Sequence, residues 1–181
     1  MEFVEQKIKG AWLITPDVHG DDRGYFFEVY NAEKYSPYIG DVKWLQDNES
    51  VSRYGVLRGL HFQSGEWSQA KLVRVTRGRV LDVIVDLRAG SPTYGQHLSF
   101  LLSEENNRQL FIPRGMAHGF AVLSDVARFD YKVDNVYMPS AEVTLRYDDP
   151  ALAIDWRLPA EHRILSPKDL RGISLPDVIP F

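Results

Sequence analysis

Cysteine is absent from the 181-residue chain, histidine occurs only five times, and no apolar run approaches the ~20 residues of a membrane span. Without thiols there are no zinc fingers, iron–sulfur clusters, cysteine nucleophiles or disulfide staples, so His, carboxylates and hydroxyls must carry any chemistry. Cationic charge is also short. Lys and Arg number 21 against 25 Asp and Glu, a net charge of −4. A phosphate backbone is held by clustered cations, so nucleic acid is not an expected partner. Near the N-terminus the longest apolar run, Ala11–Ile14, is too short for a leader's hydrophobic core, and Glu2 and Glu5 oppose a basic flank. No membrane partner is expected, and the cytoplasm is the default location.

What remains, 44% hydrophobic and 25% charged residues, is the composition of an ordinary globular protein. One domain over residues 1–181 is expected, burying about 70% of its unfolded surface without help from a metal or cross-link. Gly, Pro, Asn or Asp recur at short intervals, and the segments between them are rich in Val, Ile, Phe, Tyr and Leu. That pattern predicts a mainly β sandwich or barrel. The clearest pair is Leu72–Thr76 and Val80–Leu87, read as a hairpin about Arg77-Gly78. Leu81, Val83, Val85 and Leu87 fall on one face, with Asp82, Ile84 and Asp86 on the other. Further strands are expected at Trp12–Thr15, Tyr25–Val29, Leu98–Leu102, Leu110–Ile112, Ala121–Ser124, Phe129–Val133 and Val143–Tyr147. Asn31 is expected to cap a short turn through Tyr35, and Ser103 to open another before Glu104 and Glu105. Ser166-Pro167-Lys168-Asp169 starts a brief C-terminal helix with Pro at its first position. Ile173–Phe181 reads as an extended tail lying on the surface or on a partner.

Two His stand in glycine-punctuated segments, Gly55-Val-Leu-Arg58-Gly-Leu-His61-Phe-Gln63 and Pro113-Arg114-Gly115-Met-Ala-His118. A His leaving such a corner onto a strand can point into a barrel cavity. The spacing resembles the two cupin motifs, but Gln63 stands where a metal cupin has a second His, and no carboxylate follows before Glu66. Two His rarely hold a divalent metal alone, so no metal site is expected. A lone strand His is more often a hydrogen-bonded core residue than a reactive one. Taken singly, Arg58 and Lys71 read as surface charges and Tyr131 as an edge aromatic. Together with Asp82, however, they lie on or beside the same strands, where a sandwich core is apolar. Burying them unpaired costs several kcal/mol each, and their convergence predicts a polar cavity for an anionic ligand.

Longer motifs extend the picture. They are Asp22-Arg23-Gly24-Tyr25-Phe26-Phe27-Glu28, Gln46-Asp47-Asn48-Glu49-Ser50, Lys71-Leu-Val-Arg74-Val, Asp86-Leu-Arg88-Ala-Gly-Ser-Pro-Thr-Tyr-Gly95 and the two His segments. Tyr131-Lys132, Tyr137, Glu142, Asp148-Asp149-Pro150 and Ser166-Pro-Lys168-Asp169 follow. In order and spacing, from about residue 3 to 170, the chain resembles the dTDP-4-dehydrorhamnose 3,5-epimerase family.

The resemblance implies a cupin-like jelly roll with a few short helices. It also implies inversion of C3 and C5 of dTDP-4-dehydro-6-deoxy-D-glucose, with no cofactor and no metal. Both carbons are α to the C4 ketone, so the reaction needs a base on one face, an acid on the other and positive charge near the oxyanion. The implied base is His61, oriented by Asp169. Tyr131 is the implied acid, and Lys71 stabilises the oxyanion with Asp82 as its partner. Arg23 and Arg58 suit the pyrophosphate, since guanidinium groups pair with phosphate oxygens. His118 corresponds to a residue touching sugar and phosphate oxygens. Glu28, Gln46 and Asn48 fall near the nucleotide, Tyr137 stacks on thymine, and Glu142 and Lys168 complete the contacts. Pro167 departs from the acidic or polar residue of relatives, which bears on the placement of Asp169. The implied partner is a second copy, a homodimer with exchanged N-terminal strands in which Arg23 and Glu28 serve the neighbour's site. Alternatives are a single-site 3- or 5-epimerase, a metal-dependent cupin oxygenase or isomerase using His61 and His118, and a non-catalytic cupin binding protein.

Overall fold

The computed structural model describes residues 1–181. In chain order its strands are β1 (Glu2–Glu5), β2 (Trp12–Thr15), β3 (His19–Asp21), β4 (Gly24–Phe26), β5 (Gln46–Arg53), β6 (Leu57–Gln63) and β7 (Lys71–Arg77). They continue as β8 (Arg79–Asp86), β9 (His97–Ser103), β10 (Gln109–Ile112), β11 (Met116–Val122), β12 (Val126–Val133) and β13 (Glu142–Thr144), with one helix, α1 (Ala32–Ile39), after β4. No helix is long and apolar enough to cross a membrane.

Two antiparallel sheets face each other in a jelly roll. One has the order β1-β2-β10-β7-β12-β5, the other β13-β6-β11-β8-β9, while β3 and β4 form a separate ribbon. Strand alternation sorts the side chains into three layers. Between the sheets pack Val73, Val75, Ile84, Phe100, Phe120 and Phe129. On the outer face of the five-stranded sheet, Leu81, Val83, Val85 and Leu87 are covered by Leu152, Trp156, Leu158 and Val178 from the C-terminal stretch. On the outer face of the six-stranded sheet, Ile14, Leu72 and Phe111 meet Tyr35 of α1.

Leu72–Thr76 and Val80–Leu87 are strands, but not a hairpin. β7 pairs with β10 and β12, and β8 with β11 and β9. Gly78, at φ 69°, sends the chain from one sheet to the other, and a Cβ there would fall 2.0 Å from Val126 O. Both faces of β8 are buried, one toward the sandwich interior and one toward the C-terminal layer. Alternation therefore separates its faces correctly without indicating the partner sheet. Of Tyr25–Val29 only Tyr25 and Phe26 are strand, within β4, and that piece is exposed in the β3–β4 ribbon. The strands expected at 121–124 and 143–147 lie earlier, as β11 and β13.

Asn31 caps α1 as expected, its side chain accepting from the backbone N–H groups of Glu33 and Lys34, and the helix runs on to Ile39. After Ser103 there is a turn instead of a helix. Ser103 and Asn106 exchange side-chain and backbone hydrogen bonds at 3.2 Å, which closes the turn locally. The brief helix near Ser166 is a 3-10 turn over Asp169–Arg171. The tail lies on its own chain, with Val178 buried and the Phe181 N–H donating to Leu87 O at 3.0 Å.

Candidate active site

A cavity of about 420 Å³ opens between the sheets, lined by Gln46, Asn48, Arg58, His61, Lys71, His118, Tyr131, Tyr137, Glu142 and Lys168. His61 and Arg58 come from β6 and His118 from β11 in the five-stranded sheet, with His61 and His118 directly paired. Lys71 and Tyr131 come from β7 and β12 in the facing sheet. Arg58 and His61 are three residues apart, a spacing that points to opposite sides in an unbroken strand. The register of β6 on β11 shifts between the pairs His118–His61 and Phe120–Arg58. This bulge turns both side chains into the cavity. Gly59 makes it feasible: its φ is 129°, and a Cβ would stand 2.5 Å from Gly119 Cα. Arg58 is steadied by donating from Nε and Nη2 to Ser52 Oγ, each at 3.2 Å.

Each His has a buried carboxylate behind it. His61 Nε2 lies 2.7 Å from Asp169 Oδ1. The same oxygen accepts from the Gly59 N–H at 3.1 Å, and Oδ2 accepts from the Ser166 hydroxyl at 2.6 Å. Burial pushes the Asp169 carboxyl up, but the contact with His61 and the hydrogen bonds from Ser166 and Gly59 outweigh it and hold the group well below the usual carboxylate range. His118 Nε2 lies 2.8 Å from Asp82 Oδ2. Burial lowers the His118 pKa, and the Asp82 charge only partly opposes this. Asp82 was expected beside Lys71. Its direct contact is His118, and it reaches Lys71 through space only.

Burial brings the Lys71 ammonium down to about 8 against the opposing pull of Asp82 and Glu142. Burial also raises the Tyr131 phenol, with Arg58 working against it. At the rim, Glu142 accepts from Tyr137 OH at 2.8 Å and from Lys168 Nζ at 2.6 Å. Burial raises the Glu142 carboxyl, yet these two bonds leave it lower than usual.

Arg23 and Glu28 do not reach this cavity. Arg23 lies in the β3–β4 ribbon, paired with Asp21, and Glu28 binds Lys34 at 2.8 Å. Gln63 turns away to hold the loop carrying Tyr137, donating to Trp67 O and Val136 O and accepting from the Met138 N–H. No three His, Asp or Glu side chains converge as a ligand set. Pro167 leaves Asp169 seated, since it lacks an N–H at a position where none is needed. A second recess of about 490 Å³ lies on the outer face of the six-stranded sheet, where Lys132 pairs with Asp47, Arg128 lies 3.9 Å from Glu49 and Arg74 sits over the Phe27 ring. Ser166, Ser52 and Gly59 also shape the site, through bonds to Asp169, bonds to Arg58 and the bulge of β6. Only Ser166 has a signal in the sequence, its three-residue spacing from Asp169.

A jelly roll with two carboxylate-backed His and a cation-bearing interior cavity defines a cupin-like protein built for an anionic ligand. The family model for dTDP-4-dehydrorhamnose 3,5-epimerase matches residues 5–177. The dTDP-4-dehydrorhamnose 3,5-epimerase of Pseudomonas aeruginosa is 50% identical over 182 residues, 100% of this chain and 99% of the relative. That of Escherichia coli is 46% identical over 180 residues, 99% and 97% of the two chains. The crystal structure of dTDP-6-deoxy-D-glucose-3,5-epimerase from Legionella pneumophila in complex with dTDP-4-keto-L-rhamnose superposes with a TM-score of 0.94 at 46% identity, covering 98% of this chain and 94% of that one. The chain belongs to the dTDP-4-dehydrorhamnose 3,5-epimerase family.

Proposed function

We propose that the chain inverts C3 and C5 of dTDP-4-dehydro-6-deoxy-D-glucose to give dTDP-4-dehydro-L-rhamnose. The observation that carries this reading is the placement of His61, backed by Asp169, on one sheet and Tyr131 with Lys71 on the facing sheet. An enolate held between the sheets has a base on one face and an acid on the other. His61 Nδ1, the ring nitrogen turned away from Asp169, takes the proton α to the C4 ketone. The electron pair moves onto O4, where the Lys71 ammonium stabilises the oxyanion. Tyr131 then gives its hydroxyl proton to the opposite face, and solvent restores both groups before the second carbon reacts. Arg58 and His118 hold phosphate and sugar oxygens, Gln46 and Asn48 face the nucleotide, and Tyr137 stacks on thymine beside Glu142 and Lys168.

Residues 1–181 act as one unit in this reading, working in the cytoplasm as a homodimer. Two features support the dimer. Tyr25 and Phe26 of the β3–β4 ribbon are exposed, and Arg23 and Glu28 lie outside the cavity of their own chain.

Turnover of dTDP-4-dehydro-6-deoxy-D-glucose in heavy water, followed by NMR, tests the chemistry. Solvent deuterium at both C3 and C5 with the L-configured product is expected. Label at one carbon alone reassigns the chain as a single-site epimerase, and no label rejects catalysis at this site.

A further inference from the structure

Asp169 is held in place by a reciprocal pattern of bonds with Ser166. The Ser166 N–H donates to Asp169 Oδ2 at 3.1 Å, and the Asp169 N–H donates back to Ser166 Oγ at 3.2 Å. This is the exchange of a capping box, a device whose ordinary use is to start a helix. Here the turn it starts is only Asp169–Arg171. The Ser166 hydroxyl makes a third bond, donating to Oδ2 at 2.6 Å. Oδ2 is thereby engaged on the far side of the carboxylate, and Oδ1 is left facing His61 Nε2 at 2.7 Å and the Gly59 N–H at 3.1 Å.

We infer that Ser166 is a positioning residue for catalysis, aiming the Asp169 carboxylate at His61. The inference rests on the assignment of His61 as the base. Three observations carry it. Asp169 is buried at 3% exposure, and its carboxylate accepts hydrogen bonds from Ser166 and Gly59. The contact it must hold, Oδ1 to His61 Nε2 at 2.7 Å, depends on where Oδ1 is held. Ser166 itself is exposed on its outer side, so replacing it opens no cavity in the core. A hydroxyl spent on an already folded surface turn is better explained by the carboxylate it orients than by the turn it starts. Pro167 strengthens the arrangement, because its fixed φ leaves the short loop between Ser166 and Asp169 fewer alternatives.

The test compares Ser166→Ala, Ser166→Thr and Ser166→Gly with Asp169→Asn and the double variant Ser166→Ala/Asp169→Asn. Expected for Ser166→Ala is a loss of about tenfold in kcat, the rate equivalent of one charge-assisted hydrogen bond, with KM and dTDP affinity by calorimetry unchanged. Ser166→Thr, which keeps the hydroxyl, restores kcat, whereas Ser166→Gly, which keeps a tolerable cap, does not. In the Asp169→Asn background the added Ser166→Ala change has little further effect, because the residue acts through Asp169. Unchanged kcat in Ser166→Ala, full activity in Ser166→Gly, or losses that multiply in the double variant overturn the inference. So does a parallel loss of dTDP binding, which marks a purely structural role. Retained C3 and C5 exchange in His61→Ala is a different outcome, since it overturns the base assignment itself.

Discussion

His61, Lys71 and Tyr131 divide the proposed work among proton removal, charge stabilisation and proton return. Replacing His61 by Ala is expected to lower solvent exchange at both carbons by about 10²–10⁴-fold, the usual contribution of a positioned base. Tyr131→Phe separates the half-reactions: exchange at C3 or C5 continues through the enolate while completed inversion falls, as read by deuterium content against product configuration. Lys71 sets the pH dependence. Its pKa of about 8 means that the ammonium loses its proton as pH rises through that value. In a profile of kcat/KM the activity is expected to descend through about pH 8, and Lys71→Arg, permanently charged, is expected to carry the descent to higher pH. The stability change has the opposite sign. The unfolded chain holds the Lys71 proton up to about pH 10.4, so between about 8 and 10.4 unfolding requires proton uptake and this residue favours the folded state increasingly with pH.

β6 shows how an element can carry information that its residues do not. Arg58 and His61 both face the cavity only because the strand is bulged at Gly59. Gly59→Ala places a Cβ against Gly119 Cα and is expected to cost about 2–4 kcal/mol in denaturant unfolding, from backbone strain and overlap together. The same variant is expected to weaken dTDP binding, as Arg58 is displaced with the bulge. At α1 the chemistry is simpler. Asn31→Ala removes the side-chain acceptor for the Glu33 and Lys34 N–H groups and is expected to cost about 1 kcal/mol without altering exchange. The cap was legible because an Asn cap acts within one turn. β5 was not, since Gln46–Arg53 is a polar run and becomes a strand only by pairing along its whole length with β12. The partners of β7 and β8 are hidden for a related reason: a glycine corner between apolar strands looks the same whether the chain folds back or crosses to the other sheet.

At the scale of the molecule, Arg23 and Glu28 pose the main question, because they stand on the N-terminal side of the fold away from the cavity. If each ribbon completes the neighbour's site, mixing inactive Arg23→Ala and His61→Ala subunits by refolding creates hybrid dimers with one intact site. Statistical exchange is expected to restore about a quarter of wild-type activity. No recovery places Arg23 in the site of its own chain, and an Arg23→Ala variant that is active by itself places it in neither site. The sequence by itself determined the alternation of β8, the cap of α1 and the absence of thiol chemistry, all of which depend on nearest neighbours and composition. The ordered motifs also named residues that line the cavity, His61, Lys71 and Tyr131 among them, and joined His61 to Asp169, 108 positions away. Only the tertiary structure decided that Asp82 backs His118 directly, that β7 and β8 part company, and that Ser166 holds the carboxylate behind His61. Each of these depends on which strand a chain segment meets after crossing the sandwich, or on the direction of a single carboxylate, and neither is recorded in local periodicity.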